Sequence, residues 1–332
     1  MAGGGRSAAL DLLKTALVAG MISAHVIQLV AEAPPEAAWR WSEFVNLVTF
    51  SGFLLAFGIG VGLSGRRRRG LGERATPVVK LLLAVWASSF GYLLLVEREP
   101  LTRGLVENVL TTRVLYGWSE FLTSFLVLYL AIAVARPLLL ALGTHPRWLV
   151  AASVLGLAST MVTTHRLWPL VGGVIGHEEY PNFPLLAYLP WFLVGVHHGA
   201  GGRRVGGGDL AVGAALTGAF GLWVWQHHGR WPERFPPSVL WVVGSGLGLV
   251  AYVWVAERVA PWVPRPGLTL AAGRHVLASL VASNLAIFGV RYLWGFPVRG
   301  GWAIAAVALG LMLGVTLWAA ALDRWADRRG IG

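Results

Sequence analysis

The stretch from Ala9 to Val30, "ALDLLKTALVAGMISAHVIQLV", decides how the rest of the chain is read. It is long and apolar enough to cross a membrane, which takes about 20 residues, yet it carries Asp11, Lys14 and His25. At about 100° per residue, the interval from Lys14 to His25 turns a helix through three full turns plus roughly 20°. Both residues therefore lie on one stripe, about 16 Å apart. Ionisable groups on one stripe of a membrane helix face the bundle interior or a water-filled cavity, because facing lipid costs several kcal/mol. The plainer alternative has Lys14 snorkelling to the interface or pairing with Asp11, and His25 bonding a neighbouring helix. Arg6, the apolar run and "AEA" at 31–33 have the outline of a cleavable signal peptide. The charged residues and the length of the run instead favour a first transmembrane helix.

Working outward, 56% of the 332 residues are hydrophobic and 13% charged, with a mean hydropathy of +0.63. Those values lie far from soluble domains and predict an all-α polytopic membrane bundle. Apolar runs fall at about 8–30, 42–64, 77–97, 117–142, 147–164, 183–199, 208–226, 238–258, 275–294 and 301–321. They predict ten transmembrane helices in a single domain spanning 1–332, with little chain left for a soluble module. No fixed-period repeat is visible. The chain has no cysteine, which excludes disulfides, thiol nucleophiles and thiolate metal sites. The adjacent pairs His197-His198 and His227-His228 do not share a helix face, so no metal centre is expected.

The arginines predict orientation. With an even helix count, the loop "SGRRRRGLGERATP" (64–77) shares a side with both termini, and that side holds sixteen arginines against nine on the other. Cytoplasmic loops carry the excess, so both termini are expected in the cytoplasm. The formal charge of +11 is then mostly a topology signal, and no loop is long enough to build a nucleic-acid-binding face. Tryptophans near the ends of the runs, among them Trp39, Trp41, Trp118, Trp231, Trp262 and Trp302, read as an aromatic belt. Asn46 and Asn284, inside predicted helices, read as interhelical hydrogen-bonding residues.

"LDLLKTALVAGMISAH" (10–25) resembles the start of the acyltransferase 3 family and its relatives in the transmembrane acyl transferase superfamily, whose first helix carries a basic residue, ten intervening positions and a histidine. "VTFSGFLLAFGIGVGLSG" (48–65) is similar to the family's Phe-rich second helix, shading toward the Gly-rich form of heparan-α-glucosaminide N-acetyltransferase-like relatives. Arg66 to Arg69, with Arg74 before Pro77, occupy the place of the family's basic stretch. "YPNFPLLAYLPWFLVGVHHG" (180–199) resembles its Pro- and aromatic-rich lead-in to a helix with Gly-x-x-x-Gly-like spacing. The chain departs from the pattern in having Lys14 where arginine is commoner, Thr15 where glycine usually follows, and no histidine ending "SNLAIFGVRYLW" (283–294).

The resemblance implies a membrane-bound acyltransferase in a bacterial plasma membrane. It would move an acyl group, acetyl above all, from cytoplasmic acyl-CoA to a hydroxyl or amine of an extracytoplasmic saccharide or glycolipid, amid membrane lipid, and it leaves a homodimer open. His25 would act as general base or as the acyl-accepting residue, and Lys14 would stabilise negative charge. Glu43 or Glu120 would orient the imidazole. Arg66, Arg69, Arg74, Arg203 and Arg204 would hold CoA phosphates, although the same arginines also satisfy the positive-inside rule. The alternative is a small-molecule or lipid-linked-sugar transporter or flippase with Lys14 and His25 in its pathway. Inverted repeats or helices broken near the midplane would favour it.

Overall fold

Apolar chain crosses lipid as helix because lipid offers no partner to backbone N–H and C=O groups. The computed structural model describes residues 7–65, 71–162, 164, 169–176, 178, 182–264, 267–294 and 298–328, and no strand occurs among them. In chain order the helices are α1 (Ala8–Leu29), α2 (Glu36–Leu63), α3 (Leu71–Tyr92), α4 (Arg103–Leu110), α5 (Ser119–Thr144), α6 (Pro146–Ala158) and α7 (Pro169–Ile175). They continue with α8 (Leu185–Gly201), α9 (Gly207–Gln226), α10 (Val239–Gly244), α11 (Gly246–Val259), α12 (Leu268–Arg274), α13 (Val276–Trp294) and α14 (Gly301–Arg328).

Among the described residues, eight helical stretches are long and apolar enough to span a membrane: Ala8–Leu29, Glu36–Leu63, Ala75–Glu97, Ser119–Thr144, Gly207–Gln226, Val239–Trp262, Val276–Leu293 and Gly301–Ala326. The protein is a multi-pass helical membrane bundle. The other two apolar runs, 147–164 and 183–199, are also helical but shorter. One forms α6 and a 3₁₀ turn at Ser159–Met161, and the other forms α8. Pro184 and the left-handed Gly202 bound α8 at its two ends, so its 17 residues reach only about 25 Å.

The tightest seam in the bundle joins α2 to α8. Gly58 and Gly62 on α2 sit four residues apart, as do Gly195 and Gly199 on α8. A Cβ at Gly58 would strike the Phe192 carbonyl, and one at Gly62 the Val196 carbonyl. In return, Cβ atoms at Gly195 and Gly199 would strike the Leu55 and Ile59 carbonyls. Two small-xxx-small motifs thus face each other, and backbone meets backbone. Around this seam α1, α2 and α8 carry most of the fully buried side chains, including Leu17, Ile22, Phe50, Leu54, Tyr188 and Phe192. By contrast α9 and α14 leave apolar residues such as Val212, Leu222, Leu309 and Leu313 exposed, as lipid-facing helices do.

One span is interrupted, and a second helix is preceded by a separate short one. Ser245 separates α10 from α11, and Thr217 of α9 repairs the break: its hydroxyl donates to the Gly244 carbonyl (2.8 Å) and accepts from the Leu247 amide (2.9 Å). His275 separates α12 from α13. The end of the bundle holding the start of α1 is called proximal below, and the opposite end distal.

Candidate functional site

Near the distal end of α1 the backbone delivers His25 into a cavity of about 50 Å³, room for a few waters. Its walls come from α1, α2, the start of α5, the segment before α8, the loop after α9 and the middle of α13. The imidazole is 8% exposed, and its Nδ1 is buried without a hydrogen-bond partner. One face of the ring lies on the Trp118 indole, with centroids 3.6 Å apart and planes 8° from parallel.

Trp118 is held from behind. Gly117 and Trp118 both adopt left-handed backbone (φ 58° and 61°) immediately before α5. For a tryptophan that conformation persists only where its surroundings over-determine it. The Ser88 hydroxyl donates to the Gly117 carbonyl (2.6 Å), Ser89 to the Ser119 hydroxyl (3.0 Å), and the far side of the indole stacks on Phe288. Ser88 also accepts from Asn284 Nδ2 (3.3 Å). That bond turns the Asn284 amide so that Oδ1 is left buried and unpartnered, in the same cavity as the imidazole and within interaction range of it.

The opposite wall is polar as well. Gln28 donates to Ser42 (2.9 Å) and to Asn46 Oδ1 (3.2 Å), which leaves Asn46 Nδ2 buried and unpartnered. Glu120, half-buried, lines the cavity. Arg234 lines it too, from the short loop "RWPERFPP" (230–237). Its guanidinium lies over Phe235 (4.6 Å), Phe183 (5.7 Å) and Trp241 (6.0 Å). Burial pulls its pKa below the ordinary arginine value, while Tyr188, Glu43 and Glu120 pull the other way. Three functions with buried, unpartnered polar atoms therefore accompany the imidazole: an amide oxygen, an amide nitrogen and a guanidinium Nε.

A second, larger cavity of about 530 Å³ opens at the proximal end between the start of α1 and the ends of α2, α8 and α11. Arg203, Arg204, His198 and Glu257 line it. His198 Nε2 meets Glu257 Oε1 at 2.9 Å, and the other Glu257 oxygen accepts from the Val205 amide. Arg203 is bonded to Asp209 (2.6 Å). On α1, Leu13 lines this cavity and Met21 the distal one, a rise of about 12 Å. Between them Leu17 sits where a Cβ on Gly52 would touch both it and Leu249, an apolar plug.

Of the residues singled out from sequence, His25 and Glu120 share the distal cavity, while Glu43 lies in the electrostatic surroundings of Arg234. Lys14, on the stripe below His25 and half-buried, lines neither cavity. Arg203 and Arg204 line the proximal cavity. Arg66 and Arg69 fall outside the described residues, and of Arg74 only the backbone, in α3, is described. Sequence reasoning missed Arg234, one of nine arginines assigned to the distal side, and read Trp118 as a membrane anchor. The signals available were the Pro-bounded loop around Arg234 and the glycine preceding Trp118. Compared with family models, with curated proteins and with solved structures, the chain matches none.

Proposed function

We propose that this protein is a membrane-bound acyltransferase of ten spans with both termini in the cytoplasm. In this reading it transfers an acyl group, most simply acetyl, from acyl-CoA at the proximal mouth to a hydroxyl or amine of an extracytoplasmic saccharide or glycolipid at the distal cavity. The observation that carries the reading is the pair of cavities on α1 and α2, opening toward opposite ends and separated by a short apolar plug, with a buried imidazole whose Nδ1 has no hydrogen-bond partner in the distal one.

The charged part of CoA cannot enter hydrocarbon, so it belongs in the roomy proximal cavity. There Arg204 forms no ion pair among the described residues, and with Arg203 it offers forked donors to phosphate. Arg66, Arg69 and Arg74 would add charge from the same side. The thioester arm would pass Leu17, and Lys14, at the level of the plug, would stabilise negative charge along the passage. At the distal end His25 removes the proton from the acceptor hydroxyl as that oxygen attacks the thioester carbonyl. The C–S bond breaks, and the CoA thiolate leaves and takes up a proton. Trp118, braced by Ser88, Ser89 and Phe288, holds the ring in place, and Glu120 offers a carboxylate to the imidazolium.

The test is acyl-CoA binding and thioester turnover by purified protein in detergent, comparing wild type with His25→Ala and Lys14→Ala after checking that each is folded. Turnover lost in His25→Ala with CoA binding retained supports the reading, and a folded wild type that binds no CoA removes it. The interruption of the 239–262 span at Ser245 favours a second reading, a transporter. Solute flux into vesicles with no thiol release would be its signature.

A further inference from the structure

The guanidinium of Arg234 is the least satisfied charge in the distal cavity. Among the described residues it makes no ion pair within 4 Å and no hydrogen bond, and its Nε is fully buried. Its contacts are the rings of Phe183, Phe235 and Trp241, which support it without using its N–H groups. Such cation–π contacts offset part of a desolvation penalty and leave the donor fork available. Glu43 and Glu120 lie close enough to influence its charge, yet neither is bonded to it. Asn46 adds a second buried donor, Nδ2, on the wall of the same cavity. A cationic fork with rings beneath it and an idle amide donor in the same cavity is arranged for an incoming pair of oxygens.

We infer that Arg234, assisted by Asn46 Nδ2, is the recognition site for an oxyanion group, carboxylate or phosphate, carried by the molecule that reacts at His25. This rests on the acyl-transfer reading for calling that molecule the acceptor, and it narrows the acceptor class from neutral sugars to acidic or phosphorylated ones. The order of groups along the cavity then has meaning. The oxyanion docks at Arg234, the neighbouring hydroxyl or amine reaches His25, and Glu120 disfavours a second negative charge. With only about 50 Å³ enclosed, the cavity takes the reacting end of the acceptor and leaves the remainder outside.

The test measures binding rather than turnover, so it stands or falls apart from acyl transfer. Full-length protein in detergent is titrated with glucuronate, glucose 6-phosphate and glucose, read by calorimetry and by intrinsic tryptophan fluorescence. At least one anionic probe is expected to bind ten-fold or more tightly than glucose, and the preferred one shows whether carboxylate or phosphate is the native group. Arg234→Gln is expected to abolish that preference and Arg234→Lys to retain part of it. Glu120→Gln is expected to tighten anion binding several-fold. If Arg234→Gln fails to fold, the Arg234→Lys and Glu120→Gln responses still decide the matter. Equal binding of glucose and the anions, anion binding indifferent to Arg234, or no saturable binding of any probe overturns the assignment. Anion binding through Arg234 by a protein that never turns over acyl-CoA would keep the assignment and remove the transferase reading.

Discussion

The indole of Trp118 lies flat on the imidazole of His25, 3.6 Å between centroids, and reaches it from a left-handed backbone position that Ser88 and Ser89 pin to α3. A ring stacked so closely restricts the histidine to one plane, and misplacement of a reacting group by about 1 Å can cost 10²-fold in rate. Trp118→Ala is expected to lower kcat for thioester turnover by about 10–100-fold with CoA affinity intact, and Trp118→Phe to keep most of the rate. An unchanged kcat in Trp118→Ala would reduce the indole to packing.

Ser88 joins two parts of the site, since it donates to the Gly117 carbonyl and accepts from Asn284. Ser88→Ala leaves a carbonyl and an amide without their partner, which is expected to destabilise the protein by about 1–3 kcal/mol. Asn284→Leu removes the amide outright and is expected to lose turnover more completely. Thermal unfolding in detergent beside single-turnover kinetics separates the two effects.

The glycine seam gives a sharp contrast. Ala at Gly58 or Gly195 pushes a methyl into the partner helix's backbone, and overpacking of that kind typically costs 1–3 kcal/mol or more. Gly289 on α13 has nothing within 4 Å of an added Cβ, so Gly289→Ala is expected to be neutral or to stabilise by about 0.5–1 kcal/mol. Equal unfolding temperatures for Gly58→Ala and Gly289→Ala would mean that α2 and α8 can separate freely.

The helical architecture was legible because a membrane admits few alternatives, and the Lys14–His25 stripe because helical periodicity relates residues eleven apart. Contacts that depend on a loop were not. Position near a helix end assigns Trp118 to the membrane interface, and only the left-handed pair at 117–118 swings it onto His25. Arg234 counts in sequence as one distal arginine among several. Its importance comes from Phe183 and Trp241, some fifty residues before it and seven after, brought beneath its guanidinium by separate elements. Lys14 shows the reverse: it shares the stripe of His25, yet the neighbouring helices leave it out of both cavities.

At the distal surface, Glu32 accepts from Arg299 (2.7 Å) beside the Ala31 and Val298 backbone bridge. The Arg299 hydrogen bond holds the Glu32 carboxyl below the usual glutamate range. A depressed pKa contributes stability above the unfolded value, and that contribution disappears as pH falls through the folded one. The pair is exposed, so its effect is small and screened by salt. As pH falls from neutral to about 3, below the ordinary glutamate pKa of about 4.3, wild type is expected to lose slightly more thermal stability than Glu32→Gln, with the difference vanishing at high salt. Parallel curves at low salt would show that the pair contributes nothing.

The absence of cysteine lets single introduced thiols report topology without background. Thr102 and Arg230 lie in exposed distal loops, and Met161, 86% exposed, lies between α6 and α7. His145 and Gly208 lie at the proximal end. If the termini are cytoplasmic and α6 and α8 both cross, a membrane-impermeant maleimide is expected to label Thr102→Cys, Met161→Cys and Arg230→Cys in intact cells. His145→Cys and Gly208→Cys would then label only after permeabilisation. The opposite pattern throughout would invert the orientation drawn from the arginines and place His25 on the cytoplasmic side, beside the donor. Protection of Met161→Cys alone would mean that α6 and α8 enter the membrane and return on one side, leaving eight spans around the same α2–α8 seam.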